Sequence, residues 1–491
     1  MFLSIDIGTS SIKSALFNKD AEIVGDSLNS ILHEQSFTKS GGVEEDPKKL
    51  FNSTLESISR LNTYVLEHNY KILSVSITSF VSTLVGLDSK YDPITPVYLY
   101  SDTRNKEYVD RLTDENENDR YQRTGVKNHT SYQPSRLLWL KENHDQYHKV
   151  KYWVDFPVYL MCKLFAPKIP LTSFSLASWS GLFNLYTNNW DKQTLLKSKI
   201  SEETLPNIAS TKMNFSNLTE PYNQQFPSFD KIPWFMPIAD GFGATIGSNC
   251  ISDKDVTITV GSTTAMRFIT EKNNITIPDG LWKYKCYENT FIMGGSLTEG
   301  GNNLLWLSKI FHLDFNNDKK IAELIKNYVP GNHGLSVLPF ISGESAPGWN
   351  PRATGSIFGI NFSTNKYDIL ISTLESICYR LMYVKNKINE INKDYDFIIS
   401  GGVIDLIPDY PQMLSDVLGT KIIIKDLKEA TLKGGAILSL RTLGFWKSFN
   451  DKDSKTIKIL KPNLNKNKQH KKLFNKHDNF YNKTIDYPPL G

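Results

Sequence analysis

A duplicated α/β architecture, with two domains around a central cleft, is the fold class this sequence predicts, and two stretches carry the prediction. The first is Phe2-Leu3-Ser4-Ile5-Asp6-Ile7-Gly8-Thr9-Ser10-Ser11-Ile12-Lys13-Ser14-Ala15-Leu16-Phe17, two apolar runs joined by a tight Gly-Thr-Ser-Ser turn. The second, Ile258-Thr259-Val260-Gly261-Ser262-Thr263-Thr264-Ala265-Met266-Arg267-Phe268, repeats the layout of strand, glycine with three hydroxyl residues, and strand. Each opens about half of the chain, so one β-hairpin is used twice, with both turns facing one cleft.

The turns suit an anion. Gly8 lets the backbone turn closely, and the hydroxyl and N–H groups of Thr9, Ser10 and Ser11 then face a ligand such as a nucleotide phosphate. Either turn taken alone is better read as a plain hairpin; the repetition gives the phosphate reading its weight. Asp6 ends the first strand, where a carboxylate can hold a magnesium ion through water. Thr259 stands at that position in the second copy, so only the first half keeps the metal-directed acid.

Composition narrows the class. At 491 residues the chain suits two or three domains with ample core. A hydrophobic share of 40% and a charged share of 22% describe an ordinary soluble globular protein. The formal charge of +4 is small for this length, which argues against a general nucleic-acid or membrane surface. Cys162, Cys250, Cys286 and Cys378 are scattered without Cys-x-x-Cys spacing, so a reduced intracellular protein is expected, without a zinc site or disulfide framework. No signal peptide precedes the first strand and no apolar run approaches a membrane span, which makes the expected location cytoplasmic.

In chain order, the loop Gly41–Pro47 leads into a helix whose buried face carries Leu50, Phe51, Thr54, Leu55, Ile58 and Leu61. Ile72–Thr78 reads as a buried strand, followed by Leu84–Asp88 and a turn at Asp92-Pro93. Tyr98–Asn105 ends a strand on Asp102 and Arg104. These two either hold a polyhydroxylated ligand or form a surface ion pair capping the next helix. Residues 120 to 165 read as helical, with Leu137, Leu138, Trp139 and Leu140 on an apolar stripe and His129 in the polar loop before it. Thr172–Ser178 reads as cap and turn chemistry.

Met236–Gly247 runs from an apolar strand into Asp240 and then small residues at 241, 243, 244 and 247, the spacing of a close-packed helix start. Asp240 alone reads as an N-cap; its place at the boundary of the halves puts it where a cleft would be. In the second half, Gly294-Gly295 and the segment through Gly300 and Gly301 allow close backbone approach to a ligand. Leu338–Pro351 is a long loop rich in turn formers, and Phe397–Val403 is a buried strand opening onto Gly401-Gly402, where an adenine ring can lie flat. The Lys- and Asn-rich C-terminus carries Leu473, Phe474, His477, Phe480 and Tyr481 at helical spacing, the pattern of a solvated docking helix and not of a nucleic-acid arm.

Assembled in this order, the segments resemble the FGGY family of carbohydrate kinases over nearly the whole chain. The most specific piece is Gly355-Ser356-Ile357-Phe358-Gly359-Ile360, seven residues, then Asp368-Ile369-Leu370-Ile371-Ser372-Thr373-Leu374-Glu375, which matches the C-terminal signature at every constrained position. Arg136-Leu137-Leu138-Trp139-Leu140 matches the N-terminal signature more loosely, with Arg for Lys and Gln133 for Pro, Ser or Thr. The resemblance implies an actin-like, RNase H-like duplicated fold. Its N-terminal domain would span 1–247 and its C-terminal domain 248–450, with a Lys/Asn-rich tail at 451–491.

It also implies roles. Asp240 matches the general base for the sugar hydroxyl, and Asp6 the acid that positions Mg2+. Gly8, Thr9 and Ser10, with Lys13, and Gly261, Ser262 and Thr263, with Gly300, match the phosphate-binding set for ATP; Gly401 and Gly402 match the adenosine loop. Ser101–Arg104, Thr124–His129, Ile238–Gly241 and Ala346–Pro351 are most similar to gluconokinases, which makes Ser82, Asp102, Arg104 and His129 expected sugar contacts and Arg104 the expected partner of a gluconate carboxylate. Val81-Ser82, Ser345 and Gly348 depart from the gluconokinase pattern, so a xylulokinase-like or other polyol kinase is the alternative, and a catalytically inactive sugar or nucleotide sensor a third reading. The expected partners are ATP and a small sugar or sugar acid, with no nucleic acid and no membrane, and a homodimer is left open.

Overall fold

The structure is a computed structural model that describes residues 1–485; residues 486–491 of the expected tail lie outside the described residues. In the first half the hairpin is β1 (Phe2–Ile7) and β2 (Ser11–Phe17), followed by β3 (Asn29–Leu32), β4 (Ser74–Ser79), β5 (Asn214–Phe215), β6 (Trp234–Phe235) and β7 (Ile238–Ala239). In the second half it is β8 (Asp255–Val260) and β9 (Thr264–Thr270), followed by β10 (Trp282–Tyr287), β11 (Thr290–Leu297), β12 (Asp396–Ser400), β13 (Ile422–Lys425) and β14 (Thr456–Leu460). These make two seven-stranded sheets, ordered β5-β6-β4-β1-β2-β3 with β7 also on β4, and β10-β11-β9-β8-β12-β13-β14.

The duplication is visible in the pairing. Each hairpin is antiparallel, and its second strand takes a further antiparallel neighbour, β3 on β2 and β11 on β9. On its other side each takes two successive parallel neighbours, β4 then β6, and β12 then β13. The central strands are buried on both faces although β1 and β4 alternate apolar and polar residues; Ser4 and Ser76 lie against Gly435, which has no side chain to exclude their hydroxyls.

The helices follow their start signals. In α1 (Pro47–Glu67) Asp46 caps by accepting the Lys48 and Lys49 N–H groups, Pro47 occupies the first turn, and Leu50, Phe51, Ile58, Leu61 and Val65 face the sheet. The stretch 120 to 165 is not continuously helical. Gly125 ends one helix, Glu117–Thr124, at φ +81°, where a side chain would overlap the Lys283 carbonyl. A second, α2 (Gln133–Asn143), carries Pro134 in its first turn, and buried Trp153 and Val154 lie on a strand paired with Val85–Leu87 before a third begins. Gly294 and Gly295 also differ from expectation: they lie inside β11, and a Cβ on Gly294 would overlap the Met266 carbonyl of β9, so the close approach is between strands and not to a ligand.

Three further helices place the cleft. Asp240 begins α3 (Asp240–Gly247), α4 (Gly301–Phe311) starts against the second hairpin turn, and α5 (Lys366–Ile388) carries the C-terminal signature. In that signature Asn365 and Asp368 form a capping box, while buried Glu375 accepts from the Gly331 N–H and contacts His333. The halves are joined by α6 (Ala430–Thr442), a helix of the second half packed on α3, β1 and β4 of the first. Its Leu432, Ala436, Ile437 and Leu440 share a core with Phe2, Ala15 and Phe17.

That contact depends on missing side chains. A Cβ on Gly247 would overlap the Ala430 carbonyl, and one on Gly434 would overlap the Gly243 carbonyl, so the backbones of α3 and α6 touch. Gly434→Ala is expected to cost about 3 kcal/mol, the upper range of overpacking, read as a lowered urea midpoint at constant m-value.

The C-terminal segment carries a strand and a helix. β14 adds a strand to the second sheet, and α7 (Leu464–Thr484), with Asn463 as its cap, packs on the helix Tyr410–Leu418, on α5 and on the strand Ser336–Leu338. His470 is buried between the hydroxyls of Tyr328 and Tyr379, and Tyr481 donates to Glu344 at 2.8 Å. Among the described residues no helix is long and apolar enough to cross a membrane.

Candidate active site

The two hairpin turns face a cavity of about 330 Å³ between the halves. One wall is made by Thr9 of the first turn and by Thr259, Gly261, Ser262 and Thr263 of the second. The opposite wall is aromatic, with Trp179 stacked on Tyr284 at 3.7 Å and 19°, and Trp282 against Tyr284 at 4.8 Å. Tyr100, Tyr132 and Trp349 complete it, with Ser82 and Ser345 as its small polar members. Asp240 and Arg267 lie between the walls. One side can grip phosphates, and the other can pack the apolar faces of a polyhydroxylated chain.

Asp240 reaches this position because β7, pairing with β4, delivers the chain directly into α3. Ala239 holds the N-cap place, its N–H donating to Ser175, and the Gly241 N–H donates to Asp240 Oδ1 at 2.6 Å. Burial pushes the Asp240 carboxyl above its ordinary range, with nearby Arg267 and that N–H pulling the other way. Asp6 Oδ1 accepts from the Thr78 hydroxyl at 2.9 Å. Its carboxyl is pushed up to about 7, first by burial and then by the charge of Asp240.

Two raised carboxyls, Asp6 and Asp240, near the Gly-Thr-Ser-Ser turn favour a divalent cation. No group of three His, Cys, Asp or Glu able to hold a metal occurs among the described residues. A pair of carboxylates is the kind of donor set by which Mg2+ is held together with water and substrate phosphates.

The expected phosphate residues divide into two groups. Thr9, Gly261, Ser262 and Thr263 line the cavity; the Thr9 carbonyl is taken by Gln35 and the Ser10 carbonyl by His33, which fixes the first turn with its hydroxyls free. Gly8 closes that turn by donating to the Ser11 carbonyl at 3.0 Å. Gly300 lies behind the second turn: Gly301 and Asn302 donate to the Gly261 and Ser262 carbonyls at 2.8 and 2.9 Å, leaving no room for a side chain at 300. Gly401, at φ +111° against Val260, turns the chain at the end of β12, and Gly402 beyond it faces open space. Lys13 does not line the cavity; it pairs with Glu429 at 2.8 Å, tying β2 to the start of α6.

The expected sugar contacts divide as well. Ser82 lines the cavity in a left-handed conformation (φ +56°), its hydroxyl donating to the Trp179 carbonyl at 2.7 Å. Asp102 and Arg104 are not brought to it. Arg104 is spent on Asp102 and Glu44 and lies over the Trp139 and Tyr98 rings, while Asp102 also accepts the Val43 N–H. His129 sits one layer behind, edge-on to Trp349 at 5.4 Å, with Nδ1 taking the Ser131 N–H. Burial, and then Arg136, lower it to about 4, so it backs the wall as a neutral ring.

The aromatic wall of Tyr132, Trp179, Trp282 and Tyr284 was not singled out by the sequence, nor were Arg267 and Arg136. Trp179 and Arg267 line the cavity. Arg136, noted only as a departure from the N-terminal signature, is buried and donates to the carbonyls of Ser82, Leu99 and Thr130. It therefore pins three loops that shape the aromatic side. The Ser-Phe-Ser-Leu-Ala-Ser run was a local signal for Trp179 alone.

The N-terminal domain model of the FGGY family of carbohydrate kinases matches residues 1–247, and its C-terminal domain model matches residues 256–443. The chain belongs to the FGGY family of carbohydrate kinases. Gluconokinase of Bacillus subtilis (strain 168) is 25% identical over 462 residues, covering 91% of this chain and 88% of that protein. Among solved structures, gluconate kinase and ligand-bound xylulose kinase, both from Lactobacillus acidophilus, each superpose with a TM-score of 0.89 at 23% identity, covering 99% of both chains. The fold is thus the duplicated actin-like one, and equal superposition on two kinases of different sugars leaves the sugar to the residues of the site. As an FGGY kinase the protein is an ATP-dependent phosphotransferase with an alcohol group of a sugar or polyol as acceptor, in a family that uses Mg2+.

Proposed function

We propose that this FGGY kinase phosphorylates the terminal hydroxyl of gluconate, giving 6-phosphogluconate and ADP. The placing of Asp240 in a cavity lined also by both hairpin turns and the aromatic residues supports the transfer, and the likeness to gluconokinases supports the choice of acceptor. With the sugar against Trp179 and Tyr284, Asp240 accepts the proton of the terminal hydroxyl as its oxygen attacks the γ-phosphorus. The bond to the β-phosphate oxygen breaks and ADP leaves. Thr9, Ser10, Ser262 and Thr263 hold the phosphates through N–H and hydroxyl groups, and Gly401-Gly402 gives the adenosine a flat backbone surface. Mg2+, positioned by Asp6, would offset charge on the phosphates. Burial raises the proton affinity of Asp240, which suits a base that must take a proton from an alcohol.

A neutral ketose such as xylulose is the second reading, favoured by Ser82 and Ser345, small uncharged residues at the cavity. The two are separated by ADP release with MgATP across gluconate, xylulose, ribulose and glycerol. Turnover on gluconate at least tenfold above the neutral substrates in kcat/KM is expected; preference for a ketose sinks the gluconate reading and makes Ser82 and Ser345 the specificity suspects.

A further inference from the structure

We propose that Arg267 binds the carboxylate of the substrate and selects a sugar acid over a neutral polyol of the same length. This rests on the gluconate reading above and identifies the residue that would enforce it. Arg267 lies on β9 with only 7% of its surface exposed, yet it lines the cavity. Among the residues lining that cavity it is the single Lys, Arg or His.

Its hydrogen-bonding capacity is mostly unspent. Nη2 donates to the Thr259 hydroxyl at 3.0 Å, Nε is buried without a partner, and Nη1 makes no hydrogen bond within the protein. No ion pair within 4.0 Å involves Arg267 among the described residues. The charge of Asp240 lies close enough to favour the guanidinium without touching it, so a buried cation with unspent N–H groups is left able to take a directly bonded anion. Arg104, the cation the sequence offered for this task, is already neutralised by Asp102 and Glu44 away from the cavity.

Position decides which anion. A Cβ on Gly241 would lie 2.9 Å from Arg267 Nη1 and 3.3 Å from the Trp179 ring, so the free end of the guanidinium and that ring flank the same glycine. That is the side where the carbon chain of the substrate packs. The fork of N–H groups matches a carboxylate, and the dry aromatic surround strengthens the contact.

The test compares gluconate with glucitol, which replaces the carboxylate by an alcohol, in wild type, Arg267→Gln and Arg267→Lys. Protection from thermal unfolding by MgADP reports that each variant is folded. The ratio of kcat/KM for gluconate to that for glucitol is expected to fall about 100-fold in Arg267→Gln, through gluconate KM, and less in Arg267→Lys. An unchanged ratio, with wild type still preferring gluconate, overturns the assignment alone. An equal loss of kcat on both substrates, with the acid limb of the pH profile displaced upward, also overturns it and makes Arg267 a residue that tunes Asp240. Wild type that turns over ketoses and no sugar acid removes the gluconate reading itself.

Discussion

Asp240→Asn is expected to lower kcat by about 10³-fold while MgATP still binds, measured by ADP release and by calorimetric titration with a non-hydrolysable ATP analogue. The amide keeps the shape of the side chain and an oxygen able to accept the Gly241 N–H, so α3 should start as before. Basicity alone is removed. The same group sets the pH dependence. Burial raises the Asp240 carboxyl, and Arg267 and the Gly241 N–H offset only part of that rise. The working form is the carboxylate, so wild-type kcat/KM should fall as pH drops through a value above the ordinary carboxylate pKa of about 4. Asp6 is coupled to Asp240, so the acid limb belongs to the pair. The Asn variant should lose the Asp240 share of that limb; an unchanged profile with kcat nearly intact would place the base elsewhere.

What the sequence disclosed depended on how local each feature is. The hairpins were legible because strand, turn and strand are written in contiguous residues, and their repetition made the duplicated fold legible too. Asp240 was legible as a strand-to-helix junction at the boundary of the halves. Arg267 was in plain view inside the second hairpin, but its meaning comes from Gly241 and Trp179, which only the folded chain brings beside it. Arg104 shows the converse. Its motif suggested a free cation, and Glu44, sixty residues earlier, consumes it. Gly294-Gly295 looked like a ligand loop because the carbonyl that forbids a side chain there belongs to the neighbouring strand. Gly348, a departure from the gluconokinase pattern, has a similar cause: any side chain would overlap the Glu344 carboxylate.

Loss of Arg380 is the largest stability effect expected outside the cavity. Arg380 and Glu344 form an ion pair in which each side chain is 1% exposed. Arg380 also lies over the rings of Phe340, Tyr383 and Tyr481, and Tyr481 of α7 donates to the other Glu344 oxygen. The pair thus joins the long loop after residue 338, α5 and the C-terminal helix. Arg380→Met leaves a buried carboxylate with a hydroxyl and a backbone N–H as its remaining support, and should cost about 3–5 kcal/mol in urea unfolding. Burial already raises the Glu344 carboxyl, with Arg380 opposing it, so removing Arg380 raises it further. A carboxyl whose folded pKa exceeds its unfolded value loses stability as pH climbs between the two. The deficit of Arg380→Met should therefore be smaller near pH 5 than near pH 8. Arg380→Met combined with Glu344→Leu should recover most of it, because the desolvated charge is then gone. If the double variant is as unstable as the two single losses added together, the contacts of Arg380 with the aromatic rings, and not its charge, hold this corner of the C-terminal domain.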